Sequence, residues 1–213
     1  MPTADLYLGF LLASLVCIVA PGPDNLGVLS VGMSRGRRAG IGFAVGCGLG
    51  CLSHTLWAVV GISALIASSQ SAFRVLQYAG AAYLFYLGIK ALRSRGSFGQ
   101  LAQGGQDERG VSMVPFVGRG FVSNALNPKV ALFFLAFLPQ FVAASGSVSL
   151  QIGLLGVAFS LLTMLAFATL GYFSGVVGEW IQRRSGVGRW LDRATGCVFL
   201  GLGTHLALSG RRS

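Results

Sequence analysis

Acidic residues are scarce: six Asp and Glu in 213 positions, against sixteen Lys and Arg and two His. So few acids, with so few histidines and no His- or acid-rich stretch, argue against a metal site and against an exporter of metal cations. The four cysteines, Cys17, Cys47, Cys51 and Cys197, form no C-x-x-C motif and are scattered through apolar segments. They read as packed thiols, not as a redox relay. No phosphate loop, dinucleotide fingerprint or hydrolase elbow is present, which argues against an ATP-driven pump, a bound cofactor or an enzyme. Charge of either sign is sparse, at 10% of residues, where a soluble domain carries about 25%. A chain this apolar has too little polar surface to cover itself in water.

What is present is hydrophobic length. Hydrophobic residues make up 54% and mean hydropathy is +0.71. Six apolar segments fall near Leu6–Val31, Ile41–Ile66, Phe73–Leu92, Phe116–Val142, Leu150–Val177 and Ala194–Leu208. A membrane span needs roughly 20 apolar residues, so the expectation is an all-α integral membrane protein with about six transmembrane helices and the bilayer as its partner. The first segment does not read as a signal peptide: Met1 to Asp5 holds no Lys or Arg, and the residue before Cys17 is not the small one a lipoprotein signal requires.

The formal charge of +10 could indicate a nucleic-acid partner, but the cations lie in the gaps between apolar segments. Eleven Lys and Arg fall in the first, third and fifth gaps, and three in the others and at the C-terminus. By the positive-inside rule the odd gaps are cytoplasmic and both termini face outward. Arg211 and Arg212 run against that orientation and would fit it if the last segment did not cross.

The third gap, Gly96–Gly110, is rich in Gly, Gln and Ser. It divides the chain into residues 1–95, a flexible cytoplasmic linker over 96–112, and residues 113–213. Each half holds three apolar segments and opens with one interrupted by proline: Pro21-Gly22-Pro23 and, 107 residues later, Asn127-Pro128. An odd number of crossings per half inverts the second half relative to the first. Inverted repeats with broken helices at matching positions mark secondary transporters, and the breaks mark the substrate site.

Proline removes a donor from the helix, and in lipid the freed carbonyls need other partners. Asp24 and Asn25 are expected to cap the helix that follows the first break. In the second half, Met113–Leu126 reads as an interfacial or re-entrant helix, with a crossing from about Asn127. Asp24 is the single acid inside an apolar segment, and Lys129 is the most internal lysine. At ~1.5 Å per residue, Asp24 lies roughly 13 Å from the cytoplasmic end of its helix and Lys129 roughly 20 Å from the outer end of its own, so the two share a depth. The candidate substrate-binding residues are Pro21, Gly22, Pro23, Asp24, Asn25, Asn124, Asn127, Pro128 and Lys129. Asp24 and Lys129 would form a charge pair receiving a zwitterion, against the alternatives of a fixed ion pair or a lysine reaching for the interface. Asp24 and His54 are the candidates for proton coupling, although a lone histidine on a packed helix more often has a structural role. With no second buried acid, a neutral amino acid is favoured over lysine or arginine. Gly42, Gly46 and Gly50 form a small-residue packing stripe.

Three motifs carry a family resemblance: Pro21-Gly22-Pro23-Asp24-Asn25; Gly80 to Lys90 (GAAYLFYLGIK); and Asn127 to Phe134 (NPKVALFF), continuing to Leu138-Pro139-Gln140-Phe141. A weaker match is Asp192-Arg193 leading into Gly201-Leu202-Gly203. The chain resembles the lysine-exporter and homoserine/threonine-resistance family (LysE/RhtB type). That resemblance implies a multi-pass protein of the bacterial inner membrane that exports amino acids, is driven by protons and is often a homodimer. The alternatives are a membrane-embedded thiol electron carrier, a metal-cation exporter of similar architecture, and a membrane-embedded enzyme.

Overall fold

The computed structural model describes residues 4–68, 70–94, 112–143, 145–184 and 186–209. The described residues are helical, with no strand among them. The linker expected over 96–112 lies almost wholly outside them.

The first apolar segment is two helices, α1 (Ala4–Val19) and α2 (Pro23–Arg35), meeting at 54°. The cause is local: neither Pro21 nor Pro23 has an N–H to continue the ladder. Gly36, at φ 86°, turns the chain into α3 (Arg37–Ser68), a 32-residue helix without proline. A second long helix follows, α4 (Gln70–Arg93).

The second half opens with another bent pair. α5 (Val114–Ala125) ends before Asn127-Pro128, and α6 (Pro128–Leu132) leaves it at 51°. The chain then widens into a π-helical turn over Phe133–Phe137 and tightens into a 3₁₀ turn over Leu138–Phe141. Pro139 explains part of this irregularity, because its missing N–H cannot bond the turn before it. Gln140 Nε2 donates instead to the carbonyl of Ala136, at 3.2 Å. The expectation of a regular crossing out to Val142 is therefore corrected, and so is the depth count built on it: only five residues after the break are α-helical. Neither member of the pair makes a span-length apolar unit alone; together they do.

α7 (Val148–Tyr172) is the most apolar of the long helices. Gln151 ties its first turn to the preceding connection, donating to the carbonyls of Ala143 and Ser145 and accepting from the N–H of Ala143. The fifth apolar segment does not run on to Val177 as one helix. It stops at Tyr172, and α8 (Ser174–Arg183) follows. α9 (Val187–Ser209) is longer than the expected sixth segment. Among the described residues, three helices are long and apolar enough to cross a membrane, and the two bent pairs, each taken as one span, raise the number to five. α9 has the length at 23 residues but carries Arg189, Asp192, Arg193 and His205, and it is not among those five.

α3 is the central post, packed on α2, α5 and α7, while α4 pairs with α9. The glycine stripe explains the α3–α5 contact. A Cβ at Gly46 would strike the carbonyl of Val117, and one at Gly120 would strike that of Phe43, so the two backbones touch where side chains are absent. The core between α1, α6, its irregular extension and α7 is aromatic. Phe133 and Phe134 pack on Phe159 with ring centroids 4.8 and 5.2 Å apart.

Candidate functional site

The two breaks lie against each other, and the geometry follows from which carbonyls the breaks leave without partners. In a continuous helix the N–H of residue i bonds the carbonyl of i−4. At the first break the carbonyls of Ile18 and Ala20 would have been taken by the amides of Gly22 and Asp24. Asn25 Nδ2 donates to Ile18 O at 2.9 Å, and Lys129 Nζ donates to Ala20 O at 2.9 Å. At the second break Pro128 cannot serve the carbonyl of Asn124. That oxygen accepts from the Asn127 N–H at 2.8 Å and lies 2.9 Å from His54 Nε2. A carbonyl only accepts, so Nε2 carries the hydrogen in this contact. One carbonyl at each break, Ala20 O and Asn124 O, is thus reached by a side chain of the other half, while Ile18 O is served from within its own.

Asp24 is 1% exposed. Its carboxylate accepts three hydrogen bonds of 2.8 Å, from Ser123 Oγ, Asn124 Nδ2 and Asn127 Nδ2. It also sits in the first turn of α2, where the helix dipole favours an anion. Lys129, 5% exposed, reaches the carbonyl end of α1, where the dipole favours a cation. Asn127 caps α6 by accepting from the Lys129 N–H at 3.0 Å. The nine candidate site residues therefore converge, but two expectations about them are corrected. Asp24 and Asn25 do not cap α2: its N-cap is Gly22, with no side-chain cap bond, because both side chains are used across the break. Nor do Asp24 and Lys129 pair directly among the described contacts; each charge is held by neutral dipoles.

Three cavities meet at this junction. The largest of them, about 920 Å³, is lined by Pro21, Gly22, Pro23, Asn127, Pro128 and Lys129 and also by Lys90 and Arg93 of α4 and Ser94 just after it. The second, about 10 Å³, holds Cys17, Asp24, Asn124, Lys129 and Thr163 on its wall and suits a single water. Lys129 faces both. The third, about 280 Å³, lies beside α2 and includes Asn25.

The structure adds residues that the sequence did not mark. Ser123 is one. Tyr83, Tyr86, Asp192 and Thr195 line the large cavity. Asp192 is only 3% exposed, which corrects the expectation that no second acid is buried; it is engaged within the protein. Tyr83 and Tyr86 stand inside the Gly80–Lys90 motif, so the signal was there but carried no chemistry by itself. Cys17, Cys47 and Cys51 are buried as expected, whereas Cys197 is exposed on α9. Cys17, in the last turn of α1 ahead of the first break, shares the smallest cavity with Asp24 and Lys129. Among the described residues, no group of three or more His, Cys, Asp or Glu is placed to hold a metal.

The family model of LysE type translocators matches residues 15–210. The chain belongs to that family. The translocator is a multi-pass membrane protein, and relatives align with it almost end to end. It is 33% identical to the membrane protein PA4757 of Pseudomonas aeruginosa, over 97% of this chain and 98% of the relative. It is 27% identical to a homoserine/homoserine lactone efflux protein of Salmonella typhimurium, over 96% and 97%. It is also 27% identical to a leucine efflux protein of Klebsiella pneumoniae, over 94% of each. No solved structure matches the translocator.

Proposed function

We propose that this translocator exports a neutral, zwitterionic amino acid or close analogue from the cytoplasm in exchange for protons. The observation that carries the reading is that the 920 Å³ cavity is lined by both helix breaks and by Lys129. Burying an ammonium or a carboxylate without a partner is costly, so a site for an amino acid must offer one group of each sign. Lys129, whose ammonium has two donors beyond the one given to the Ala20 carbonyl, receives the carboxylate. Asp24, on the wall of the adjoining 10 Å³ cavity that Lys129 also lines, is the acid that takes the ammonium when that space opens, or a proton when the site is empty. Neither residue must break an ion pair with the other to do so. His54, bonded to the Asn124 carbonyl, is one residue removed from the Asp24 carboxylate and is the second candidate on the proton path.

The choice of a neutral substrate no longer rests on a lack of buried acids. It rests on the cavity wall, where Lys90, Arg93 and Lys129 outnumber the single, already engaged Asp192. A dibasic amino acid would approach an excess of like charge. Of the compounds in the relatives' names, homoserine and leucine are zwitterions of the favoured kind, and homoserine lactone is a close analogue without the free carboxylate. Lys90 and Arg93 stand at the end of α4 that the loop charges assign to the cytoplasm, so the cavity opens inward. The two bends at matching positions, 54° and 51°, and the reciprocal hydrogen bonds across them support a pair of inverted repeats, residues 1–95 and 113–213, joined by 96–112. The family resemblance carries the proposal of a homodimer. The test is efflux from vesicles loaded with a panel of amino acids, with and without an imposed pH gradient. Efflux of homoserine, threonine or leucine, accelerated by the gradient and absent for lysine, is expected. Efflux of lysine alone, or rates indifferent to the gradient, would overturn the reading.

A further inference from the structure

The corner where α8 turns into α9 carries a second chemistry. α8 has ten residues, about 15 Å of helix, which is half the thickness of a hydrocarbon core. It is two-faced. Ser174, Gly178 and Ile181 are buried, Ile181 among Leu29, Val187 and Leu191, while Val176 and Trp180 stand 66% and 48% exposed one turn apart. An apolar stripe on a helix too short to cross suits the plane of the membrane interface. Trp190, 68% exposed in the first turn of α9, favours the same level. Around these rings Arg183, Arg184, Arg189 and Arg193 are exposed, and none of the four lines the large cavity. The exposed acid of α8, Glu179, is already engaged by Arg183 at 3.4 Å. Arg189 sits in the first turn of α9, which holds no acid, at the helix end where the dipole repels a cation. The Arg184 guanidinium lies over the Trp180 ring, 5.6 Å from its centroid. Arg37, at the start of α3, lies in the same way over Tyr172, at 4.8 Å. Stacking orients a guanidinium and leaves its N–H donors free for an oxyanion.

We propose that this corner binds an anionic phospholipid, with Arg184 and Arg189, on either side of the turn at Gly186, holding its phosphate, and Trp180, Trp190 and Val176 lying against its glycerol and upper acyl chains. A phosphate offers the paired oxygens that a guanidinium fork meets. A zwitterionic headgroup would bring its own cation towards the arginines. A soluble anion would use the charges and leave the apolar stripe beside them without a partner, so a lipid fits the whole surface. The positive-inside rule asks only for cations somewhere in this gap. It does not ask for an arginine stacked on an exposed indole, nor for one at the positive end of a helix. The site is independent of what the translocator exports.

The experiment is tryptophan quenching in the full chain carrying Trp57→Phe, which keeps Trp180 and Trp190 as its tryptophans. Vesicles of phosphatidylcholine receive a rising fraction of brominated phosphatidylglycerol or of brominated phosphatidylcholine. The anionic lipid should quench at about a tenfold lower fraction, the preference expected when two arginines each contribute severalfold. Arg184→Gln should lower that preference severalfold, and Arg184→Gln with Arg189→Gln should bring it close to one. Arg74→Gln, which removes one charge from the start of α4, should leave it unchanged, as should soluble glycerol phosphate. Equal quenching by the two lipids before any arginine is changed would overturn the proposal. So would a preference that survives the folded double variant, an equal loss with Arg74→Gln, or displacement by glycerol phosphate.

Discussion

Lys129 and Ala20 are 109 residues apart, yet the lysine replaces the one amide that the first break withholds from the Ala20 carbonyl. Lys129→Met would leave that carbonyl buried and unpaired, at a cost of about 1–3 kcal/mol, and would take the cation from the cavity wall. Efflux should fall to background while immunoblots show the protein still in the membrane. Asp24→Asn should do the same, because an amide nitrogen in place of one carboxylate oxygen would face donors it cannot accept from. His54 separates two roles. Gln can still donate to the Asn124 carbonyl, so His54→Gln should keep most of the efflux if the ring only holds the break. If it also passes protons, His54→Gln should keep binding but lose the dependence of rate on external pH. Transport measured across pH 5.5 to 8.5 reads the difference. At this scale the sequence was informative about identity and silent about partners. Proline spacing marked both breaks, and the isolation of Asp24 and Lys129 in apolar segments marked them as costly. That the two charges avoid each other and bind opposite helix ends depends on how the halves cross, which no local pattern encodes.

At the scale of the helices, the contact between α3 and α5 depends on glycine. A side chain at Gly46 would meet the Val117 carbonyl and the Phe121 amide, both backbone and unable to swing away. Gly46→Leu should destabilise the fold by about 1–3 kcal/mol or more and lower the thermal midpoint in detergent. Gly61→Ala, on the same helix with nothing within 4 Å of the added atom, should leave it unchanged. The interval of four between Gly42, Gly46 and Gly50 made this face readable in advance. The irregular stretch after Leu132 was not. Its apolar run from Val130 to Leu138 has the composition of an ordinary span, and the switch to π and then 3₁₀ geometry comes from packing Phe133, Phe134 and Phe137 into the aromatic core ahead of Pro139. α9 was readable only in part, because Arg189, Asp192 and Arg193 broke the apolar signal over its first turns. That is why Asp192 falls just outside the apolar segment Ala194–Leu208 yet lies inside α9.

For the whole molecule, orientation decides whether the large cavity faces the cytoplasm. Single cysteines at Ser97 and Ser145, in a background lacking Cys17, Cys47, Cys51 and Cys197, should differ in reaction with an impermeant thiol reagent. Ser145→Cys should label from outside and Ser97→Cys should not; the reverse would turn the cavity outward. The cysteine-free background is itself a check. Three of the four thiols are buried in the core and the fourth is exposed, so removing all four should reduce protein level modestly and leave transport. The most direct test of the central claim is counterflow of a neutral amino acid, homoserine or leucine, into proteoliposomes holding the wild-type translocator, Asp24→Asn or Lys129→Met at equal density. The account predicts rapid uptake by the wild type and none by either variant, with all three folded. Wild-type rates in both variants would place the substrate elsewhere and leave the paired breaks as packing alone.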